Sequence, residues 1–189
     1  MKKNLFSLII VFSINSQAIS HVEHYAEFNY LEYELFRNNK SIGYHKYDFI
    51  RENDILSIKS EVSFKITKLG VDLYKYFAAS EETYKNNKFL KFSSKTNKNK
   101  KERYVNISVD TMDEDLIIDG SSYKGKADKE YIVGTWWNHE IIKSKAQISA
   151  ISGRIIEQTV TFIGKEKVTI GDKTFNTLRF NFKSSDQTL

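Results

Sequence analysis

The sequence predicts an all-β protein, an antiparallel meander that curls into a barrel, a half-barrel or a two-sheet sandwich. Apolar and polar residues alternate with period two along most of the chain, which is typical of strands with one buried and one solvated face. Short polar segments of hairpin length separate the alternating stretches. A meander of many strands closes on itself or splits into two packed sheets, because large open sheets twist strongly.

The clearest alternation lies in the third predicted strand, where Leu56, Ile58, Val62, Phe64 and Ile66 share one face. Serine, lysine and glutamate side chains occupy the opposite face of that strand. The same reasoning predicts, in chain order, strands at about Tyr30–Arg37, Ile42–Ile50, Leu56–Ile66, Val71–Tyr84, Phe89–Thr96, Arg103–Asp110, Leu116–Ile118, Ile132–Trp137, Ile155–Ile163 and Thr174–Phe182.

The connections between these strands rely on asparagine, aspartate, glycine and serine, since the chain contains no proline. Only Glu140–Ile151 is a helix candidate, and its isoleucines fit helical spacing in part. The last predicted strand ends seven residues before Leu189. It is therefore either an edge strand beside the N-terminal strand, or the chain is truncated at Leu189 and further strands complete the sheet.

Residues 1–18 have the pattern of a secretory signal peptide. Lys2 and Lys3 form the positive segment, residues 5–14 the apolar core, and Ser16 and Ala18 the small residues before the cleavage site. The apolar core is too short for a membrane anchor, and the chain has no cysteine that could carry a lipid. We therefore expect residues 19–189 to form a single antiparallel β domain, periplasmic or secreted, that does not span a membrane.

Composition excludes several classes of function. The absence of cysteine removes disulfides, thiol catalysis and thiolate metal sites together. Loss of Lys2 and Lys3 with the signal peptide lowers the formal net charge of +5 by two, and few of the basic residues are arginine, the side chain best suited to bidentate phosphate recognition. Together with export, this argues against a nucleic-acid partner.

Two charged clusters are candidate sites. The basic run Lys95–Arg103 is either an anionic-surface site for lipid headgroups or polyanionic glycans, or a solvated hairpin tip, which is the commoner role of such runs. The acidic residues of the segment 110–119 do not follow the calcium-loop pattern, because no glycine follows Asp113 and Asp115. An acidic turn is the better interpretation of that segment.

The four histidines offer little metal-binding potential. His21 and His24 would form a chelating N-terminus only if cleavage fell after Ser20, whereas cleavage after Ala18 removes that arrangement. His45 lies in a predicted strand and is more often structural in such a place. We therefore predict no metal site and no cofactor.

The segment Trp136-Trp137-Asn138-His139 is the leading ligand-binding candidate. On a strand the two indoles would point to opposite faces, so that one is buried and the other borders a cavity mouth, where it could stack on a sugar or a lipid tail. The alternative is that both rings plug the open end of a barrel.

No catalytic motif is present. The sequence lacks G-x-S-x-G and H-E-x-x-H, and the neighbouring carboxylates Glu81 and Glu82 would point to opposite faces of a strand. Catalytic residues therefore remain unassigned at this point.

Several dispersed features resemble an uncharacterised family of exported bacterial proteins, a domain of unknown function of the 6134 type that is related to the 3108 type. The matching residues follow one another in order and spacing from Tyr30 to Phe182: Ile42-Gly43, Leu69-Gly70-Val71, Tyr74, Tyr76, Glu82, Tyr84, Phe89-Leu90, Ser94, Thr96, Thr135-Trp136-Trp137-Asn138 and Gly153. The resemblance implies an antiparallel β-protein of the cell envelope, in which at least one more strand follows the last one here. It implies no activity.

These observations favour a non-enzymatic envelope protein that binds an apolar or amphipathic ligand such as a lipid, a glycan or another envelope small molecule. One alternative is an envelope hydrolase with His139 and nearby acids as general acid and base. Another is a partner-binding module that uses an open sheet edge. Fold alone cannot choose among the three.

Overall fold

The larger of two sheets is built from strands that each pair with the next strand in sequence. The structure is a computed structural model that describes residues 25–185. Eight antiparallel strands form this sheet: β1 (Tyr30–Arg37), β2 (Lys40–Glu52), β3 (Ile55–Lys68), β4 (Val71–Lys85), β5 (Lys88–Lys98), β6 (Lys101–Val109), β7 (Leu116–Gly120) and β8 (Lys124–Ala127).

A second sheet has the order β12-β11-β10-β9. Its strands are β9 (Ile132–Val133), β10 (Ala146–Ile148), β11 (Ile155–Ile170) and β12 (Lys173–Ser184). The β9–β10 pair is parallel, and the other two pairs are antiparallel. A short 3-10 helix, His139–Ile142, lies between β9 and β10. No helix in the described part of the chain is both long and apolar enough to cross a membrane.

The all-β class is confirmed, since about 70% of the described residues lie in strands. The barrel alternative is wrong, because β1 and β8 each pair with one neighbour and leave the large sheet open. Residues 1–18, His21, His24 and Leu189 lie outside the described residues.

Two predicted elements differ from the structure. The strand predicted at Ile132–Trp137 pairs only at Ile132–Val133, because a left-handed residue, Trp136 with φ 65°, turns the chain away. The helix predicted at Glu140–Ile151 is also wrong. Ala146–Ile148 instead forms a fully buried strand between β9 and β11, where strand pairing satisfies its backbone.

Asparagine allows the proline-free hairpins to be tight. Two-residue turns at Asn38-Asn39, Asn86-Asn87 and Asn99-Lys100 have positive φ at both positions, between 48° and 67°. Such turns match the twist of antiparallel strands, and asparagine tolerates this left-handed conformation better than most residues. The short Asn-rich connections seen in the sequence thereby fix the strand register.

The core lies between one face of the large sheet, here called the inner face, and residues 131–158. Near β5 to β8 it contains Phe92, Val105, Ile107, Leu116, Ile118 and Ala127, together with Val133 and Ile148 from the smaller sheet. Near β2 to β4 it contains Tyr47, Phe49, Leu56, Ile58 and Tyr84 around Trp137. Gly120 permits close contact at this boundary, since a Cβ there would lie 2.6 Å from the Ser152 carbonyl oxygen.

Replacement of Ile58 by alanine should destabilise the protein by about 2–5 kcal/mol, because the side chain is 2% exposed and its loss leaves a cavity. The adjacent, exposed Lys59→Ala variant should stay within about 0.5 kcal/mol of wild type. Urea denaturation of both variants measures the difference. Equal effects would contradict the assignment of the inner face.

Candidate functional site

The Trp136–His139 segment follows β9 and runs along the boundary of the core. Trp136 is 55% exposed and contacts Phe182 of β12 edge-on, with ring centroids 5.7 Å apart. Trp137 is buried. One indole is thus exposed and the other buried, and this occurs at a left-handed residue outside any strand rather than by strand alternation.

Trp137 occupies the centre of an aromatic cluster on the inner face. Its ring meets Tyr25, Phe49 and Tyr84 edge-on, with centroids 5.5, 6.0 and 5.9 Å away. The Tyr25 hydroxyl donates to the Trp137 carbonyl oxygen over 2.6 Å. Edge-on aromatic contacts add to the stabilisation from burial. Trp137 therefore packs this segment against the large sheet.

Asn138 and His139 also have local roles. The buried Asn138 caps the 3-10 helix, and its Oδ1 accepts a hydrogen bond from the Glu140 backbone N–H over 2.9 Å. His139 is partly exposed at the surface, with Nε2 3.5 Å from Glu140 Oε1. Lys143 Nζ reaches the same carboxylate oxygen at 2.8 Å. The four predicted residues are therefore sequential neighbours with separate environments.

A buried carboxylate, Glu82 of β4, joins this segment to the sheet. It is 2% exposed and accepts hydrogen bonds from three neutral donors. Trp137 Nε1 donates over 2.8 Å, Thr135 Oγ1 donates over 3.1 Å, and the Tyr84 hydroxyl donates as well. The alternation of the sequence correctly placed Glu81 and Glu82 on opposite faces of the strand. Nothing in the sequence indicated that residues 135–137 would cover Glu82.

Burial dominates the protonation of this cluster. The low-polarity surroundings raise the pKa of Glu82, and the three hydrogen bonds oppose that rise in part, because they favour the charged form. The pKa of Tyr84 is raised well above its ordinary value, chiefly by burial and also by the Glu82 charge. Folding therefore favours the protonated form of Glu82 relative to the unfolded chain.

The inner face continues beyond the segment that covers it. Residues Val62, Phe64, Tyr74, Tyr76 and Ala78 form this region, here called the open end, and all of them are partly exposed. Phe64 stacks on Tyr74 and Tyr76 with centroids 5.7 and 5.0 Å apart. An apolar, largely aromatic surface thus extends directly from the core.

A second apolar surface lies on the β11–β12 hairpin. Its members, here called the hairpin face, are Val160, Phe162, Leu178, Phe180 and Phe182. Phe162 is 54% exposed and Leu178 is 59% exposed. The segment 135–136 contacts both the buried part of the inner face and the hairpin face, because the Thr135 carbonyl oxygen accepts the Tyr47 hydroxyl over 3.0 Å while the next residue contacts Phe182.

His45 and Ser60 form the one side-chain arrangement in the described residues that resembles a nucleophile and its base. His45 Nε2 lies 2.9 Å from Ser60 Oγ, and burial lowers the pKa of His45. No carboxylate within residues 25–185 bonds to the His45 ring, and the flanking backbone pairs in the strand ladder. A free pair of N–H groups for an oxyanion is thus missing beside this dyad.

The other charged candidates are explained by pairing or by solvent. Lys126 Nζ lies 2.8 Å from both Asp110 and Asp113, and Lys129 pairs with Glu114 at 3.1 Å. The acidic segment is therefore a neutralised turn. Among residues 25–185, no three acidic or histidine side chains converge as metal ligands.

The face opposite the inner face carries a groove of about 540 Å³. Its lining includes Asp48, Lys59, Glu61, Glu81 and Lys95, so charges of both signs alternate along it. This lining does not present a convergent set of one charge.

The raised pKa of Glu82 makes stability depend on pH. The free energy of unfolding should fall as pH rises from the ordinary glutamate range through the folded-state pKa, because the folded state holds that proton more tightly. The Glu82→Gln variant should lack this pH-dependent fall in the free energy of unfolding, because glutamine does not titrate. Denaturant titrations at a series of pH values between about 4 and 8 measure the slopes.

Glu81→Gln is the matched control, since it removes the same charge from the opposite face of the same strand. It should keep the wild-type pH dependence. Identical slopes in wild type and Glu82→Gln would refute the role given to burial.

Comparison with known proteins gives a family and no activity. No curated protein matches the chain, and no solved structure matches it. A family model described as "Domain of unknown function (DUF6134)" matches residues 33–189, which include every strand from β2 to β12 and all four residues of the Trp-Trp-Asn-His segment. The chain belongs to the DUF6134 family.

Proposed function

We propose that this protein is a non-enzymatic, exported cell-envelope protein that binds a ligand with an apolar portion, such as a lipid chain. The observation that carries the proposal is the open end of the inner face, which continues the core as a partly exposed aromatic surface. A protein surface of this kind marks an interaction site, because contiguous exposed apolar area is unfavourable in water.

The hairpin face supports the same function. Its Phe182 contacts the exposed ring of Trp136 edge-on, and the neighbouring Trp137 is part of the core. An apolar ligand bound at Trp136 would therefore also contact Phe182 of the hairpin face. Trp136 is the best single reporter of such binding, since a 55% exposed indole retains a large area for stacking.

Export rests on the pattern of residues 1–18. We expect the mature protein to begin at Ile19, after the small residues Ser16 and Ala18, with His21 as the less favoured start. N-terminal sequencing of protein from the envelope fraction of its host identifies the start. Recovery of intact Met1 in that fraction would contradict the signal-peptide proposal.

Binding can be tested with N-phenyl-1-naphthylamine, a neutral apolar dye whose fluorescence rises on transfer from water. Trp136→Ala should weaken dye binding about tenfold, as expected for loss of an aromatic anchor, and change stability by no more than about 0.5 kcal/mol. Trp137→Ala should instead destabilise the protein by about 3–5 kcal/mol through the cavity that it leaves.

Phe77→Ala is the control for dye binding, because Phe77 is 43% exposed on the opposite face of β4. It should bind the dye as wild type does. An absence of dye binding by wild type, or equal loss in Trp136→Ala and Phe77→Ala, would rule out the proposed ligand surface.

A further inference from the structure

Three cations flank the open end of the inner face. Strand register places Lys98 opposite Tyr76, and Lys101 opposite Lys98. Arg103 is opposite Thr96, which is in turn opposite Ala78. Directly opposed side chains in antiparallel strands lie close enough to touch, so the aromatic surface passes into a cationic one within a single strand spacing.

The contact between the two surfaces is direct. Lys98 Nζ lies 5.6 Å from the centroid of the Tyr74 ring, within the range of a cation–π interaction. Tyr74 in turn stacks on Phe64. The cationic and aromatic groups are therefore parts of one surface with two chemical characters.

The positive charge of this surface is not neutralised locally. Within residues 25–185, neither Lys98 nor Lys101 forms an ion pair, and the Arg103 guanidinium donates to the neutral Ser122 hydroxyl over 3.1 Å. On the adjoining strand β4, Asp72 is paired with Lys75 at 2.9 Å. Glu102 points to the opposite face of β6 by alternation.

Strand alternation separates these cations from the other basic residues of the same hairpin. Lys91 and Lys95 also belong to β5 but point away from the inner face. The inner face of this hairpin thus has three cations that form no ion pair within the described residues, beside a partly exposed aromatic surface. Charge complementarity points to an anionic group held next to an apolar one.

We propose that the open end binds a single-chain amphiphile with an anionic headgroup. Lys98, Lys101 and Arg103 contact the phosphate or carboxylate oxygens, and the acyl chain lies along Phe64 and Tyr76 toward the core. This inference rests on the proposed function and adds the chemical class of the ligand. The two lysines act as mobile point charges, whereas the Arg103 guanidinium can donate two parallel hydrogen bonds.

The test compares two lysophospholipids with the same palmitoyl chain, each used as a monomer to displace N-phenyl-1-naphthylamine. One is anionic lysophosphatidylglycerol and the other is zwitterionic lysophosphatidylcholine. Wild type should bind the anionic lipid about tenfold more tightly, since three partly exposed ion pairs of about 0.5 kcal/mol each correspond to such a factor. The variant K98Q/K101Q/R103Q should lose this preference and bind lysophosphatidylcholine as wild type does.

The matched control is K59Q/K91Q/K95Q, which removes the same number of charges from exposed positions on the opposite face. It should retain the preference. Equal binding of both lipids by wild type would overturn the headgroup assignment while leaving the proposed function intact, and so would equal loss of preference in the two triple variants. Inorganic phosphate alone should not displace the dye, and displacement by phosphate would also overturn the inference. Failure of wild type to bind dye and both lipids would instead refute the proposed function.

Discussion

The insertion of Trp137 into the inner face is the interaction on which the arrangement of the two sheets depends. Its indole is surrounded by aromatic rings from β2, β4 and the N-terminal segment, and its N–H is satisfied by Glu82. A buried indole N–H without an acceptor would be costly, as would a buried carboxylate without donors. The hydrogen bond between them satisfies both groups. It also fixes the position of the backbone around Thr135 and Trp136.

The exposed apolar surfaces follow from a difference in length. Strands β2 to β4 have 13 to 15 residues, while the segment that covers them packs over only part of each strand. The alternation of apolar residues nevertheless continues to the far ends, as in Val62 and Phe64. The chain therefore has partly exposed apolar residues where a sheet with two solvated faces would have polar ones.

Sequence periodicity predicted the fold class and most strands, because long alternating strands impose a pattern of their own. The short strands β8 and β10 have four and three residues, too few to display a period. The helix prediction at Glu140–Ile151 failed because tertiary pairing, rather than local spacing, decides the state of Ala146–Ile148. For the site, alternation placed Glu82 on the face opposite Glu81, but it was not applied to the basic run Lys95–Arg103. It could not reveal which part of that face the distant residues 131–158 would cover.

Incomplete coverage also divides single strands into regions of different local stability. In β3, the backbone near Ile58 lies beneath packed side chains, whereas the backbone near Phe64 and Ile66 is held chiefly by its neighbours in the sheet. Opening of the far ends therefore costs less free energy than global unfolding, and amide protons there exchange with solvent through smaller fluctuations. An acyl chain bound at the open end, as proposed above, would add contacts at those far ends, so that its binding and their local ordering would be thermodynamically linked.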